Sequence, residues 1–311
     1  MKGLGVTEKA TASTRRPRGR GAPSRWYGGA TPWVFLAPFL TAFVLFRLGP
    51  VIGGFFISLT RWSIVGSPTW VGLANYRTLL GDPLFHTSLI NTLFFVLLTV
   101  PAMVALSLGL ALLVNLPLAP RIFARTSIFL PYVVMAAVVG VIWNWMLDSN
   151  FGLVNYALAL VGLGPYRWLT DFNLAMPAVA GVTIWWTVGF NMIIYLAGLQ
   201  DVPRELEEAA MIDGAGSLAV LRHVTLPILT PTTFVVLMLT TINAAQVFDQ
   251  IYVMTGGGPG TSTLTLVQYL YYQAFQSFNL GYGSAVAYFV FVLLAVFGII
   301  QLRLVRQQVA S

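Results

Sequence analysis

Apolar residues gather in six runs, at about 33–59, 88–116, 122–147, 174–198, 229–253 and 282–303, separated by short polar or turn-rich segments. Each run supplies the about 20 apolar residues that a helix needs to cross the hydrocarbon core of a bilayer. A spanning segment must satisfy its own backbone hydrogen bonds, and the alternating ten-residue strands of a barrel are missing, so the predicted elements are helices. The expected fold is therefore an all-α integral membrane protein with six transmembrane helices. Composition agrees, because 57% of the residues are hydrophobic and 9% charged, against about 45–50% and about 25% for soluble domains.

Charge sets the expected orientation. Residues 1–32 carry Lys2, Lys9, Arg15, Arg16, Arg18, Arg20 and Arg25 against Glu8, and with Pro, Gly and Ser interleaved they show no helical period. This reads as a disordered basic tail, and the apolar run that follows is too long for a secretory signal and lacks its cleavage site, so it reads as a retained anchor. With that tail inside, thirteen basic residues fall on inner segments and three (Arg61, Arg77, Arg167) on outer loops, which predicts both termini in the cytoplasm. The division expected is a tail over 1–32, a first transmembrane helix over 33–59, and a core of five transmembrane helices over 88–303.

Between the fourth and fifth runs lies an island of a different character. Asp201, Glu205, Glu207, Glu208 and Asp213 are five of the ten acidic residues of the chain. Asp201 is placed to cap a helix, Pro203 suits a first turn, and the glutamates match the positive end of a helix dipole. Gly214 is placed to end that helix in a left-handed turn, and Gly216-Ser217 to start another, so a helix-turn-helix is expected at the membrane surface. Leu206, Ala209, Ala210 and Asp213 share one face, with Glu205 and Glu208 beside it, which gives a small-residue surface that a partner can approach closely. Read from the residues alone, a solvated acidic loop is the rival explanation.

A resemblance decides between them. Glu208-Ala209-Ala210, three residues, Gly214, nine residues, then Val224-Thr225-Leu226-Pro227 resembles the signature loop of permease subunits in binding-protein-dependent ABC importers, with Val224 where that family more often has isoleucine. Met211-Ile212-Asp213-Gly214-Ala215 and Val253-Met254-Thr255-Gly256-Gly257-Gly258-Pro259 are similar to the carbohydrate branch, in its maltose-permease-like and glycerol-3-phosphate-permease-like first subunits. The likeness covers about residues 33–306. It implies a type I ABC importer permease fold in a bacterial or archaeal cytoplasmic membrane, with residues 201–227 as a loop that docks on an ATPase. Glu205, Glu208, Ala209, Ala210, Asp213, Gly214, Leu226 and Pro227 would carry that docking. The implied partners are a second permease subunit in a heterodimer, two ATPase subunits and an extracytoplasmic solute-binding protein, within the lipid bilayer and without nucleic acid.

Catalysis by this chain is not expected. Its lysines are Lys2 and Lys9, both in the tail, so no P-loop can be built and ATP with its Mg would belong to partner subunits. There are no cysteines, and His86 and His223 fall in different loops, so no metal site is expected.

Polar residues within the spans mark a candidate pathway, since each is costly there. Asn243, Gln246, Asp249 and Gln250 fall at three- and four-residue spacing and predict one polar stripe on the fifth span. Trp185, Trp186, Thr187 and Asn191 cluster in the fourth. Amides bond hydroxyls and aromatic faces stack on sugar rings, so a cavity between these spans would suit a mono- or oligosaccharide; helix-to-helix hydrogen bonding is the competing use. Glycerol-3-phosphate, a glycerophosphodiester or a polyol are the alternative cargoes, and an ion-coupled secondary transporter is the alternative machine. Arg47, inside the first run, has no assigned role.

Overall fold

The computed structural model describes residues 31–64, 66–116 and 121–310. Residues 1–30 of the basic tail lie outside them. Two compact units divide at Ile52. The first holds the start of α1, an apolar helix spanning Pro32–Ser58 that is interrupted by a π-helical turn, Val44–Leu48, which contains Arg47.

The second unit opens on a two-residue antiparallel pair, β1 (Thr60–Arg61) with β2 (Thr69–Trp70), which hydropathy did not foretell. Asn75 stitches it to the helix before it, its Nδ2 donating to the carbonyls of Ser58 (2.7 Å) and Thr60 (2.8 Å). Then come α2 (Ala74–Gly81), α3 (Pro83–Asn115), α4 (Arg121–Val133), α5 (Ala136–Met146), α6 (Leu153–Ala159) and α7 (Ala175–Gln200). The expected fourth span is thus one continuous helix. The expected third span is α4 and α5, bent by 98°.

The break has a local cause. Pro131 cannot donate to the carbonyl four residues back and its ring crowds that turn, and α4 ends at Val133. The Val134 carbonyl lies in the break between the two helices, and in a bilayer a carbonyl outside a helix needs a donor. The indole Nε1 of Trp186 on α7 supplies it to Val134 at 3.0 Å.

Beyond α7 lie α8 (Arg204–Ile212) and α9 (Ser217–Ile228), then α10 (Thr230–Ala245), bent by 67° from α9. Pro231, in the first turn of α10, has no N–H to return to Pro227. The expected fifth span is not continuous either. It stops at Ala245 and resumes as α11 (Asp249–Met254), with Phe248 between them at φ −138°, ψ −59°. The carbonyl of Val247, inside the break, accepts from the buried Thr265 hydroxyl at 3.2 Å. The chain ends with α12 (Leu266–Tyr271), followed by a π-helical turn (Tyr272–Gln276), and α13 (Leu280–Ala310). Among the described residues four helices are long and apolar enough to span a bilayer, and six spans result when each bent pair counts as one.

Three apolar clusters hold the second unit. One joins Phe95 of α3, Met176 and Val179 of α7 and Ile251 of α11; another joins Ala111, Tyr195 and Val236 toward the opposite ends of α3, α7 and α10. The two together make α3 and α7 parallel and α10 antiparallel to both. The third gathers Phe85, Leu266, Tyr269, Tyr282 and Val286 where α3, α12 and α13 meet.

Candidate functional site: a membrane cavity and a surface loop

A cavity of about 280 Å³ opens among α3, α4, α7, α10 and α11, just under the roughly 300–1,000 Å³ usual for small-molecule sites. Asn243, Gln246, Asp249 and Gln250 all line it, and so does Asn191. The single stripe expected of them is interrupted by the break between α10 and α11. Irregular backbone at membrane depth is tolerated where it lines a cavity, and the Thr265 hydrogen bond to Val247 removes its cost. Trp185 is a correction: it does not line the cavity. Its ring lies edge-on to Trp143 with centroids 5.2 Å apart, and its neighbour Trp186 takes the lining position, because adjacent helical residues point about 100° apart.

The walls have a consistent chemistry. Thr99, Thr183, Thr187 and Thr240 each donate to the carbonyl one turn back, at 2.7, 2.9, 2.7 and 2.7 Å. With their protons used, these hydroxyls offer acceptor lone pairs to the cavity. The amides offer both donors and acceptors, and Asp249 offers a carboxylate. Apolar faces come from Tyr132, stacked on Phe190 with centroids at 4.7 Å, and from Phe248, stacked on Tyr252 at 5.2 Å. Thr187 was singled out from sequence, whereas Tyr132, Thr99, Thr183 and Thr240 were not; only the i−4 habit of Thr in apolar helices could have signalled these threonines.

The acidic island folds as a helix-turn-helix of α8 and α9. Asp201 does not cap α8 as expected; it terminates α7, and Pro203 takes the N-cap position with an extended backbone. Gly214 sits at φ +87°, and the N–H groups of Gly214 and Ala215 return to the carbonyls of Met211 (3.1 Å) and Ala210 (2.9 Å). That pattern needs a left-handed residue, which glycine adopts without penalty. Glu205, Glu208, Ala209, Asp213, Gly214 and Pro227 are exposed, and Ala210 and Leu226 are half-buried. Ile212 at 86% and Leu218 at 78% exposure add apolar side chains to the same turn. The turn is thus an open apolar knob rimmed with carboxylates. No group of three or more metal-ligating side chains occurs among the described residues.

The chain is a multi-pass helical membrane protein with a polar internal cavity and an exposed amphipathic loop. Residues 85–309 match the model of the binding-protein-dependent transport system inner membrane component family, and the chain belongs to that family. It is 38% identical to the sulfoquinovosyl glycerol transport system permease protein SmoG of Agrobacterium fabrum, over 88% of this chain and 89% of that one. It is 36% identical to the trehalose/maltose transport system permease protein MalF of Thermococcus litoralis, over 88% and 93%. With the arabinooligosaccharides transport system permease protein AraP of Bacillus subtilis it shares 35%, over 88% of each. The fold matches a bacterial ABC transporter involved in alginate import with a TM-score of 0.79, at 24% identity and covering 89% and 95% of the two chains. The chain is thus a permease subunit of an ABC importer and not an enzyme, and the ion-coupled alternative is set aside.

Proposed function

We propose that this chain forms half of the membrane pathway for a sugar handed over by an extracytoplasmic binding protein. A second permease chain would form the other half, and two ATPase subunits would bind and hydrolyse ATP. The chain would lie in a bacterial or archaeal cytoplasmic membrane with both termini in the cytoplasm. The observation that carries the reading is the exposed turn of α8 and α9, with Ile212 and Leu218 in the open and Glu205 and Glu208 beside them. An amphipathic helix presented in this way fits a groove on a partner.

The cargo is read from the cavity and the relatives. Amides, Thr acceptors and stacked aromatic faces match a polyhydroxylated ring, and the relatives named above carry sugars or glycosides. The described lining holds Asp249 and no Lys or Arg, so nothing there offsets the charge of a phosphate ester. That ranks a neutral sugar above glycerol-3-phosphate or a glycerophosphodiester.

The test uses the whole importer in proteoliposomes, with binding protein and a labelled sugar. Uptake is expected to require ATP inside and to survive collapse of ion gradients. Gly214→Asp, which puts a side chain into a left-handed turn, and Glu208→Lys, which reverses the rim charge, are both expected to abolish uptake and release the ATPase on purification. Normal uptake by both variants would overturn the docking assignment.

A further inference from the structure

Three glutamates stand on α8, and they do different things. Glu205 and Glu208 face solvent, whereas Glu207 is half-buried and its Oε1 accepts a hydrogen bond from the Thr225 hydroxyl at 2.8 Å. Thr225 is 4% exposed and ends the π-helical turn Leu221–Thr225 within α9. Its carbonyl accepts from the N–H of Leu229 at 3.0 Å. Leu229 caps α10 and is fully buried in the cluster with Tyr195 and Val236. Further along α10, Thr240 and Asn243 line the cavity.

The covalent route from α8 to α9 is a single exposed turn. It runs through Gly214-Ala215-Gly216, where Gly214 and Gly216 are exposed and have nothing within 4 Å of a Cβ position. The Glu207 carboxylate provides a second attachment, to the buried Thr225, that bypasses this turn.

We propose that Glu207 is a positioning residue for energy coupling: its bond to Thr225 locks α8 to α9 so that displacement of the loop reaches the cavity-lining α10. This rests on the reading of the loop as an ATPase dock. Glu205 and Glu208 belong to the docking surface; Glu207 belongs to the linkage behind it.

The measurement is sugar transported per ATP hydrolysed, in proteoliposomes holding the complete importer, together with ATPase retention on purification and thermal stability. Glu207→Ala and Thr225→Val are expected to keep the ATPase bound and to lower the transport-to-hydrolysis ratio by roughly tenfold. Glu207→Gln and Thr225→Ser, which keep an acceptor and a donor in place, should hold the ratio near the wild-type value. The double variant Glu207→Ala/Thr225→Val should be no worse than either single one, as for two members of one interaction. A role confined to stability would lower thermal stability and leave the ratio unchanged, and that result overturns the proposal. Loss of the ATPase from Glu207→Ala or Thr225→Val would place these residues in the dock and overturn it too, with the docking reading intact. Retention of the ATPase and of uptake by both Gly214→Asp and Glu208→Lys would remove the docking reading, and this proposal with it. Should Glu207→Ala fail to assemble, Thr225→Val against Thr225→Ser decides by the same ratio.

Discussion

At Asp82 one carboxylate closes three elements together. It caps α3, accepting from the N–H of Leu84 at 2.9 Å and of Phe85 at 3.5 Å, and it accepts from the hydroxyls of Tyr269 on α12 and, at 2.7 Å, Tyr282 on α13. Burial pushes its pKa up, but the two phenols and two amides outweigh this and hold it below the ordinary value. Burial, with the neighbouring carboxylate, pushes the Tyr269 phenol up to about 12. A depressed folded-state pKa stabilises above the unfolded value, about 4, and that stabilisation is lost as pH falls through the folded value. Asp82→Asn is therefore expected to lower the thermal midpoint at neutral pH, with the gap to wild type closing below about pH 4; melting in detergent across that range checks it. A gap independent of pH would show that the charge is not what matters. Asp82-Pro83 is legible as a helix start from neighbouring residues, but its phenolic partners stand 187 and 200 positions away, and no local pattern points to them.

Helix by helix, apolarity reports length well and continuity poorly. Four runs became continuous spans, while the third and fifth are broken, and a side chain distant in the chain bonds a carbonyl at each break. A second feature of the same kind is the crossing of α4 over α7. A Cβ added at Gly189 would come within 2.2 Å of the Ile128 carbonyl oxygen and 2.7 Å of the Phe129 Cα, so the approach exists because Gly189 has no side chain. Gly189→Ala is expected to cost about 1–3 kcal/mol, the usual penalty for overpacking a filled interior, read as a lower unfolding midpoint. It should also disturb Tyr132 and Phe190, which flank the cavity beside this contact. Gly181 on the same helix has nothing within 4 Å, so Gly181→Ala is the control and should be neutral. Sequence shows both glycines alike, since the difference lies in which of them faces α4.

For the molecule as a whole, the proposed function makes the cavity and the loop the two working ends, joined through α9 and α10. If the cavity holds cargo through neutral hydrogen bonds, each contributes about 0.5–1.5 kcal/mol. Gln246→Ala should then raise the apparent KM for uptake by roughly threefold to tenfold at saturating ATP. Trp185→Phe, which keeps the edge contact with Trp143 outside the cavity, should leave it unchanged. The reverse result would return Trp185 to the pathway. Hydropathy over about 20 residues and motif spacing over about 20 more are short-range properties. They were enough to establish a six-run helical membrane protein, the acidic loop, its Gly214 turn and four amide or acid positions that meet in one cavity. Where the helices break, that Trp186 rather than Trp185 faces the cavity, and that Glu207 turns inward to Thr225 all depend on groups far apart in the chain. Without water in the bilayer interior, each freed backbone carbonyl must find a donor elsewhere in the protein, and only packing determines which residue supplies it.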